Sequence, residues 1–210
     1  MTEVEVVTTP FGDARVTWQR AERPRAVVAL GHGASTGIEA PDLRALAATL
    51  PPLGFSVALI EQPWRVAGGY GESDTTTLDT GWRAVCQALD LAGAPLVTGG
   101  RSAGSRVAGR TAVELAAVAV LALSFPLHAP GRQREIWDPS ELLGTGLPTL
   151  IVQGARDPFG LPEEFPPLPA RTELVSVPAA DHVFSAWPDQ ADTITRITDA
   201  VATWLGTVTG

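Results

Sequence analysis

The run Leu96-Val97-Thr98-Gly99-Gly100-Arg101-Ser102-Ala103-Gly104-Ser105-Arg106 passes from an apolar, β-prone stretch straight into a helical one, with no loop between them. A serine on so sharp a strand-to-helix turn must hold a strained backbone. Strand and helix then come so close that the residues two before and two after it have to be small, and both are glycine, Gly100 and Gly104. Such strain is tolerated where it lifts a hydroxyl clear of the sheet. With 21 Gly and 9 Ser in 210 residues, chance alone supplies roughly 0.1 copies of G-x-S-x-G. The pattern is therefore weak by itself, and its position between strand and helix carries the weight.

The rest of the chain supplies the sheet that such a turn requires. Val4–Thr8 and Ala14–Gln19 read as a hairpin about Pro10-Phe11-Gly12-Asp13. Strand-like runs follow at Arg25–Leu30, Phe55–Ile60, Pro95–Thr98, Ala117–Leu123, Thr149–Val152 and Glu173–Val177. Helical spacing intervenes at Pro41–Leu50, Thr77–Leu91, Ser102–Leu115 and Ala191–Leu205. Several strands are continuous apolar runs, the pattern of a sheet covered on both faces. The expected fold is one α/β domain over residues 1–210: a mostly parallel, doubly wound sheet with an antiparallel N-terminal edge hairpin. Roughly 25 residues separate Leu123 from Thr149, too few for a helical cap domain. The two long loops, Glu61–Thr76 and Phe125–Ser140, are of the length that usually serves function.

Charge and composition exclude several partners. The net charge is −8 and all 15 basic residues are Arg, so the clustered cations of a nucleic-acid binder are missing. The longest apolar stretch, around Ala116–Leu123, is too short to span a bilayer. The acidic start Met1–Glu5 lacks the pattern of a signal peptide, which points to a cytoplasmic protein. Cys86 is the lone cysteine, so there is no intrachain disulfide, and its place in a helical run suits core packing. Phosphate-binding, dinucleotide and metal-ligand patterns are absent, so no cofactor and no metal are expected. The expected partner is a small-molecule substrate, not nucleic acid or a membrane.

A serine nucleophile needs a base within hydrogen-bond reach, and the base needs an orienting carboxylate. The histidines are His32, His128 and His182. His182 lies in Pro178–Phe184, after the last strand and before the terminal helix, where a base can overhang Ser102. Asp157 follows the strand Thr149–Val152, and the order Ser102…Asp157…His182 is that of α/β-hydrolases. Asp181 is the rival acid, read as a brace for its loop. Gly31-His32-Gly33-Ala34-Ser35 ends an earlier strand, so backbone N–H groups of Ala34 and Ala103 are the candidate oxyanion donors. Ser35 is expected to order that turn and Ser105 to cap or pack. His32, Glu61, Trp64 and His128 are the candidate substrate contacts, with Arg65 and Trp137 nearby. Core or loop packing is the commoner account of the aromatics and His128, solvated charge of Glu61 and Arg65, and a bond that holds its turn of His32. The site is expected to be open and shallow, bordered by Glu61–Gly71 and Phe125–Ile136.

Together, Gly31–Ser35, Gly99–Arg106, Phe125-Pro126-Leu127-His128 and Asp181-His182 resemble the dienelactone-hydrolase-like group of α/β-hydrolases. More narrowly, they resemble a branch with testis-expressed hydrolase-like proteins and the hydrolase-like domain of an NSL histone acetyltransferase complex subunit. The similarity runs from Val27 to Phe184. Dienelactone hydrolases carry cysteine where this chain has Ser102, so the resemblance implies a serine hydrolase and not dienelactone as substrate. The implied activity is hydrolysis of a small ester through Ser102, His182 and Asp157. The chromatin relatives imply a second possibility, an interaction module with little turnover. The resemblance also marks Arg101, Arg106 and His128, whose roles stand open between pinning the turn by ion pairs and touching substrate.

Overall fold

The computed structural model describes residues 2–69, 74–131, 137–186 and 188–210. Strands β1 (Thr2–Thr9) and β2 (Gly12–Gln19) pair antiparallel along their whole length across the Pro10-Phe11 turn. On β2 the alternating residues Ala14, Val16 and Trp18 are buried, as in a half-covered edge. The remaining strands are β3 (Ala26–Gly31), β4 (Phe55–Glu61), β5 (Leu96–Arg101), β6 (Ala119–Leu123), β7 (Thr149–Gly154) and β8 (Thr172–Val177). They form one eight-stranded sheet in the order β1-β2-β4-β3-β5-β6-β7-β8. The β2–β4 pair is antiparallel, and every pair from β4–β3 to β7–β8 is parallel.

The helices are α1 (Pro41–Thr49), α2 (Pro63–Val66), α3 (Thr75–Ala88), α4 (Ala103–Thr111), α5 (Ser140–Leu143) and α6 (Gln190–Val208). On one face α1 and α6 lay Leu43, Leu46, Ile197, Val201 and Trp204 over Val28, Leu30, Leu121 and Val152. On the other, Trp82 and Val85 of α3 and Val107 of α4 cover Val27, Ala29 and Ile60. Each such fully buried side chain contributes roughly 1.5–3 kcal/mol of hydrophobic stabilisation. Coverage on both faces explains why β3, β5 and β6 are buried at every residue and why β3 and β6 are apolar throughout.

The partners of β3 are β4 on one side and β5 on the other, so the strand order reverses there. Ligand crevices in such sheets open at the carboxyl ends of the strands beside the reversal, which here are Gly31 and Arg101. The predicted architecture is present. Between β6 and β7 the described residues hold only the four-residue α5 and no cap domain. Several boundaries moved, three of them beside the site. Strand β5 runs through both glycines to Arg101. Helix α3 starts two residues early because the Asp74 carboxylate caps it, accepting from Thr77 N at 3.1 Å. Helix α4 stops at Thr111, and turns follow to Ala116, whose φ of 53° closes the segment. Among the described residues no helix is long and apolar enough to cross a membrane.

Candidate active site

Ser102 sits between β5 and α4 with φ 52° and ψ −120°, a backbone conformation disfavoured for L-residues. Its N–H donates to Leu123 O at 2.9 Å, tying the turn to β6. Its carbonyl accepts from Ser105 Oγ at 2.6 Å, so Ser105 packs and anchors the turn as expected. A Cβ on Gly104 would lie 2.6 Å from the carbonyl carbon and oxygen of Gly31, and one on Gly100 would lie 2.7 Å from Gly31 O. The ends of β3 and β5 and the start of α4 therefore touch through bare backbone. That contact brings the turn after β3 beside the serine: a Cβ on Gly33 would sit 3.4 Å from Ser102 Cβ. Ala103 opens α4, so its N–H has no acceptor within the helix.

The three groups singled out for acid–base work meet. His182 Nδ1 lies 2.8 Å from Asp157 Oδ2 and 3.0 Å from Oδ1, and its Nε2 lies 2.9 Å from Ser102 Oγ. A carboxylate can only accept, so Nδ1–H donates to Asp157 and Nε2 is left to accept from the serine hydroxyl. Asp157 is buried and otherwise occupied: Oδ1 accepts from Phe159 N at 2.8 Å and Oδ2 from Gln153 Nε2 at 3.0 Å. Phe159 stacks on the imidazole, ring centres 4.2 Å apart and planes 31° apart. Asp181 braces its loop through Oδ1, which accepts from Val183 N and Ser185 N.

Arg101 answers one open question. Its side chain is 2% exposed and reaches three separate segments. Nε donates to Asp42 Oδ2 at 3.2 Å, Nη1 to Thr36 Oγ1 at 2.7 Å and Nη2 to the His182 carbonyl at 2.8 Å. One buried guanidinium thus joins the serine turn, the turn after β3 and the histidine loop. Burial raises the Asp42 carboxyl above its usual range, and the charge of Arg101 opposes that rise without cancelling it.

A cavity of about 690 Å³ stands over Ser102, within the range of small-molecule sites and larger than the shallow depression expected. Ala34, Ser35, Ala103 and Phe159 line it near the serine, and Arg106, Arg110, Trp137 and Glu141 form a polar wall. Ser35 therefore faces the cavity, and its turn is ordered by His32 and by the Arg101–Thr36 bond. None of the four candidate substrate contacts lines this cavity. His32 is buried and its ring is occupied: Gln62 N donates to Nε2 at 3.2 Å, so Nδ1–H donates to Gly33 O at 2.7 Å. Trp64, on α2, packs edge-on against His32 at 5.2 Å, and both line a separate void of about 10 Å³. Glu61 ends β4 and pairs with Arg15, while Arg65 pairs with Glu39. His128 is buried, with its ring nitrogens beside Ala129 O and Glu164 Oε2. Residues 70, 71 and 132–136 of the two expected border loops lie outside the described residues. Among the described residues, Pro126 of the second loop lines the cavity, and Thr75 and Leu78 of α3 add to its wall.

Two contributors were missed in the sequence. Gln153 is a polar residue inside the apolar run of β7, and its buried amide donates to Asp157 and to Gly160 O at 2.8 Å. A buried amide needs partners, so a glutamine four residues before the acid was a readable signal. The stacking of Phe159 depends on how its loop returns and left no such mark. Cys86 is buried and its thiol is pushed up by burial, which leaves it unreactive.

Burial lowers the pKa of His32 below its usual value. Between the native and unfolded pKa values the unfolded chain binds more protons, so acidification favours unfolding. The stability held by neutral His32 is intact above the unfolded value of about 6.5 and drains as pH falls below it. Melting curves at pH 7.5 and 5.5 are expected to show a larger drop for the wild type than for His32→Gln. Equal drops would place the titration elsewhere.

Comparison with known proteins agrees with the geometry. The model of the alpha/beta hydrolase domain matches residues 24–207. No curated protein matches the sequence. Among solved structures, a lidless a/b serine hydrolase from Xanthomonas campestris superposes with a TM-score of 0.76 at 21% identity, covering 97% of this chain and 94% of that one. A dienelactone hydrolase from Anabaena variabilis gives 0.76 at 18% identity over 99% and 98% of the two chains. The esterase domain of a Rhodothermus marinus protein gives 0.73 at 16% identity over 100% of both. At such identities these likenesses speak for the fold. With the family model covering nearly the whole chain, this protein belongs to the α/β hydrolase domain family.

Proposed function

We propose that the protein is a serine hydrolase that cleaves a small carboxylic ester. The observation that carries the proposal is the alignment of Ser102 Oγ, His182 Nε2, His182 Nδ1 and Asp157 within hydrogen-bond distances. Ser102 Oγ attacks the carbonyl carbon while His182 Nε2 takes its proton, and Asp157 holds the resulting imidazolium. The carbonyl electron pair moves to oxygen, where the N–H groups of Ala34 and Ala103 and the positive end of α4 receive it. The ester C–O bond then breaks, and the departing alcohol leaves with the proton from His182. Water, deprotonated by His182, attacks the acyl-serine in turn, releasing the carboxylic acid and restoring Ser102. The names of the structural relatives, serine hydrolase and esterase, favour the same reading.

Labelling by a fluorophosphonate probe tests it. The wild type is expected to be labelled at Ser102, and Ser102→Ala is expected to remain unlabelled and to hydrolyse no p-nitrophenyl ester above background. An unlabelled wild type would sink the proposal and leave a binding module on a hydrolase scaffold.

A further inference from the structure

The mechanism gives no task to Arg106, although it stands closer along the helix to Ser102 than any other cation of the cavity wall. Its N–H reaches the Ser102 carbonyl at 3.4 Å, one helical turn away. Residues at that spacing share a helix face, and helical side chains lean toward the N-terminus, here toward Ser102. Resting on the hydrolase reading above, we propose that Arg106 anchors a carboxylate carried by the ester substrate.

The argument turns on donors left over. Arg106 Nε is engaged by Glu141 in an ion pair, and its guanidinium carbon lies 5.0 Å from the centre of the Trp137 ring and 5.9 Å from that of Phe125. These contacts fix the plane of the group. Among the described residues, neither of its Nη nitrogens has a hydrogen-bond acceptor, although the side chain lines the cavity. Arg110, one turn further on, makes the contrast. Asp79 accepts from its Nε and Nη2 and Glu141 from its Nη1, so its fork is spent. A planar guanidinium held in place with its Nη donors free is a receptor for a planar two-oxygen acceptor, which a carboxylate supplies.

Charge sharpens the class of substrate. Glu141 is shared by both guanidinium groups, Asp79 matches Arg110, and the exposed Asp138, bonded to Ser140, adds a further negative charge near Arg106. The wall has no positive surplus, and the protein's net charge of −8 does not draw anions from a distance. Recognition therefore rests on short, directed N–H bonds, and it should be read in KM more than in kcat.

The test uses the full chain and matched esters: p-nitrophenyl hemiadipate against p-nitrophenyl hexanoate for a carboxylate in the acyl half, and 4-carboxyphenyl against phenyl hexanoate for the leaving half. A kcat/KM at least tenfold higher for the charged member of either pair, mostly through KM, is expected. Arg106→Gln is expected to erase most of that ratio, with Arg106→Lys, which keeps the charge without the fork, in between. Should Arg106→Gln fail to fold, inhibition of the wild type decides: adipate is expected to bind at least tenfold more tightly than adipamide. Equal rates within both pairs, a ratio that survives in folded Arg106→Gln, or equal inhibition by adipate and adipamide overturns the proposal. Absence of both hydrolysis and Ser102 labelling overturns the hydrolase reading beneath it.

Discussion

Arg101→Met is expected to lower stability by about 3–5 kcal/mol, because it leaves the buried Asp42 carboxylate without its counter-ion. In the molecules that still fold, turnover should fall on the order of 10²-fold, the scale of a small misplacement of a reacting group. The two losses have different origins, and a second substitution separates them. Arg101→Met with Asp42→Leu removes both charges, and replacing a buried ion pair with apolar side chains is often neutral. Urea melts of the double variant are thus expected to return most of the stability. Its esterase rate and fluorophosphonate labelling should stay low, since the His182 carbonyl and the Thr36 hydroxyl still lack their donor. Recovery of rate together with stability would show that Arg101 serves only the fold.

Gly104→Ala is the second large effect. The added methyl would meet the backbone of Gly31 at 2.6 Å and the His32 carbonyl at 2.8 Å, and backbone cannot rotate out of the way as a side chain can. Forcing an extra carbon into such a contact costs about 1–3 kcal/mol. The strain also pushes the end of β3 away from α4, separating the N–H of Ala34 from that of Ala103. A drop in Ser102 labelling on the order of 10²-fold is expected, checked by the rate of probe incorporation at matched folded fraction. Gly206→Ala in α6, where a Cβ meets nothing within 4 Å, is the control and is expected to stabilise by about 0.5–1 kcal/mol. Similar effects of the two substitutions would mean that the close approach of β3 and α4 is not what Gly104 provides.

The parts of this protein legible in its sequence are those fixed by local rules. The apolar runs of β3 and β6 declare a covered sheet. The glycines around Ser102 declare a tight turn, and the order of Ser102, Asp157 and His182 follows the order of the strands that carry them. What escaped depends on which segments meet across the sheet. Trp64 reads as a loop aromatic, yet the short α2 tucks it against His32, and it does not line the cavity over Ser102. Trp137 does line the cavity as the sequence suggests, but Thr75 and Leu78, placed there by where α3 begins, and Glu141 before β7 line it as well. Arg101 is a charge at the end of a buried strand, and only the junction of three distant segments explains it. Helix α4 shows local preference losing outright: Ala112, Ala116 and Ala117 are strong helix formers, yet the helix ends at Thr111 and Ala116 takes a positive φ before the chain enters β6.

The imidazole of His182 is restrained from several sides: both oxygens of Asp157 hold Nδ1, Phe159 lies along its face, and Arg101 holds the main chain behind it. A ring so confined has little room to swing from one partner to another. In the proposed reaction, the proton taken from Ser102 and the proton handed to the departing oxygen both travel through the same narrow arc around Nε2. The alcohol has to bring its oxygen into that arc with the breaking bond correctly aimed. On that proposal, mirror-image alcohols of a chiral ester are expected to do so with unequal ease, and the stiffness of one side chain would give the site a handedness.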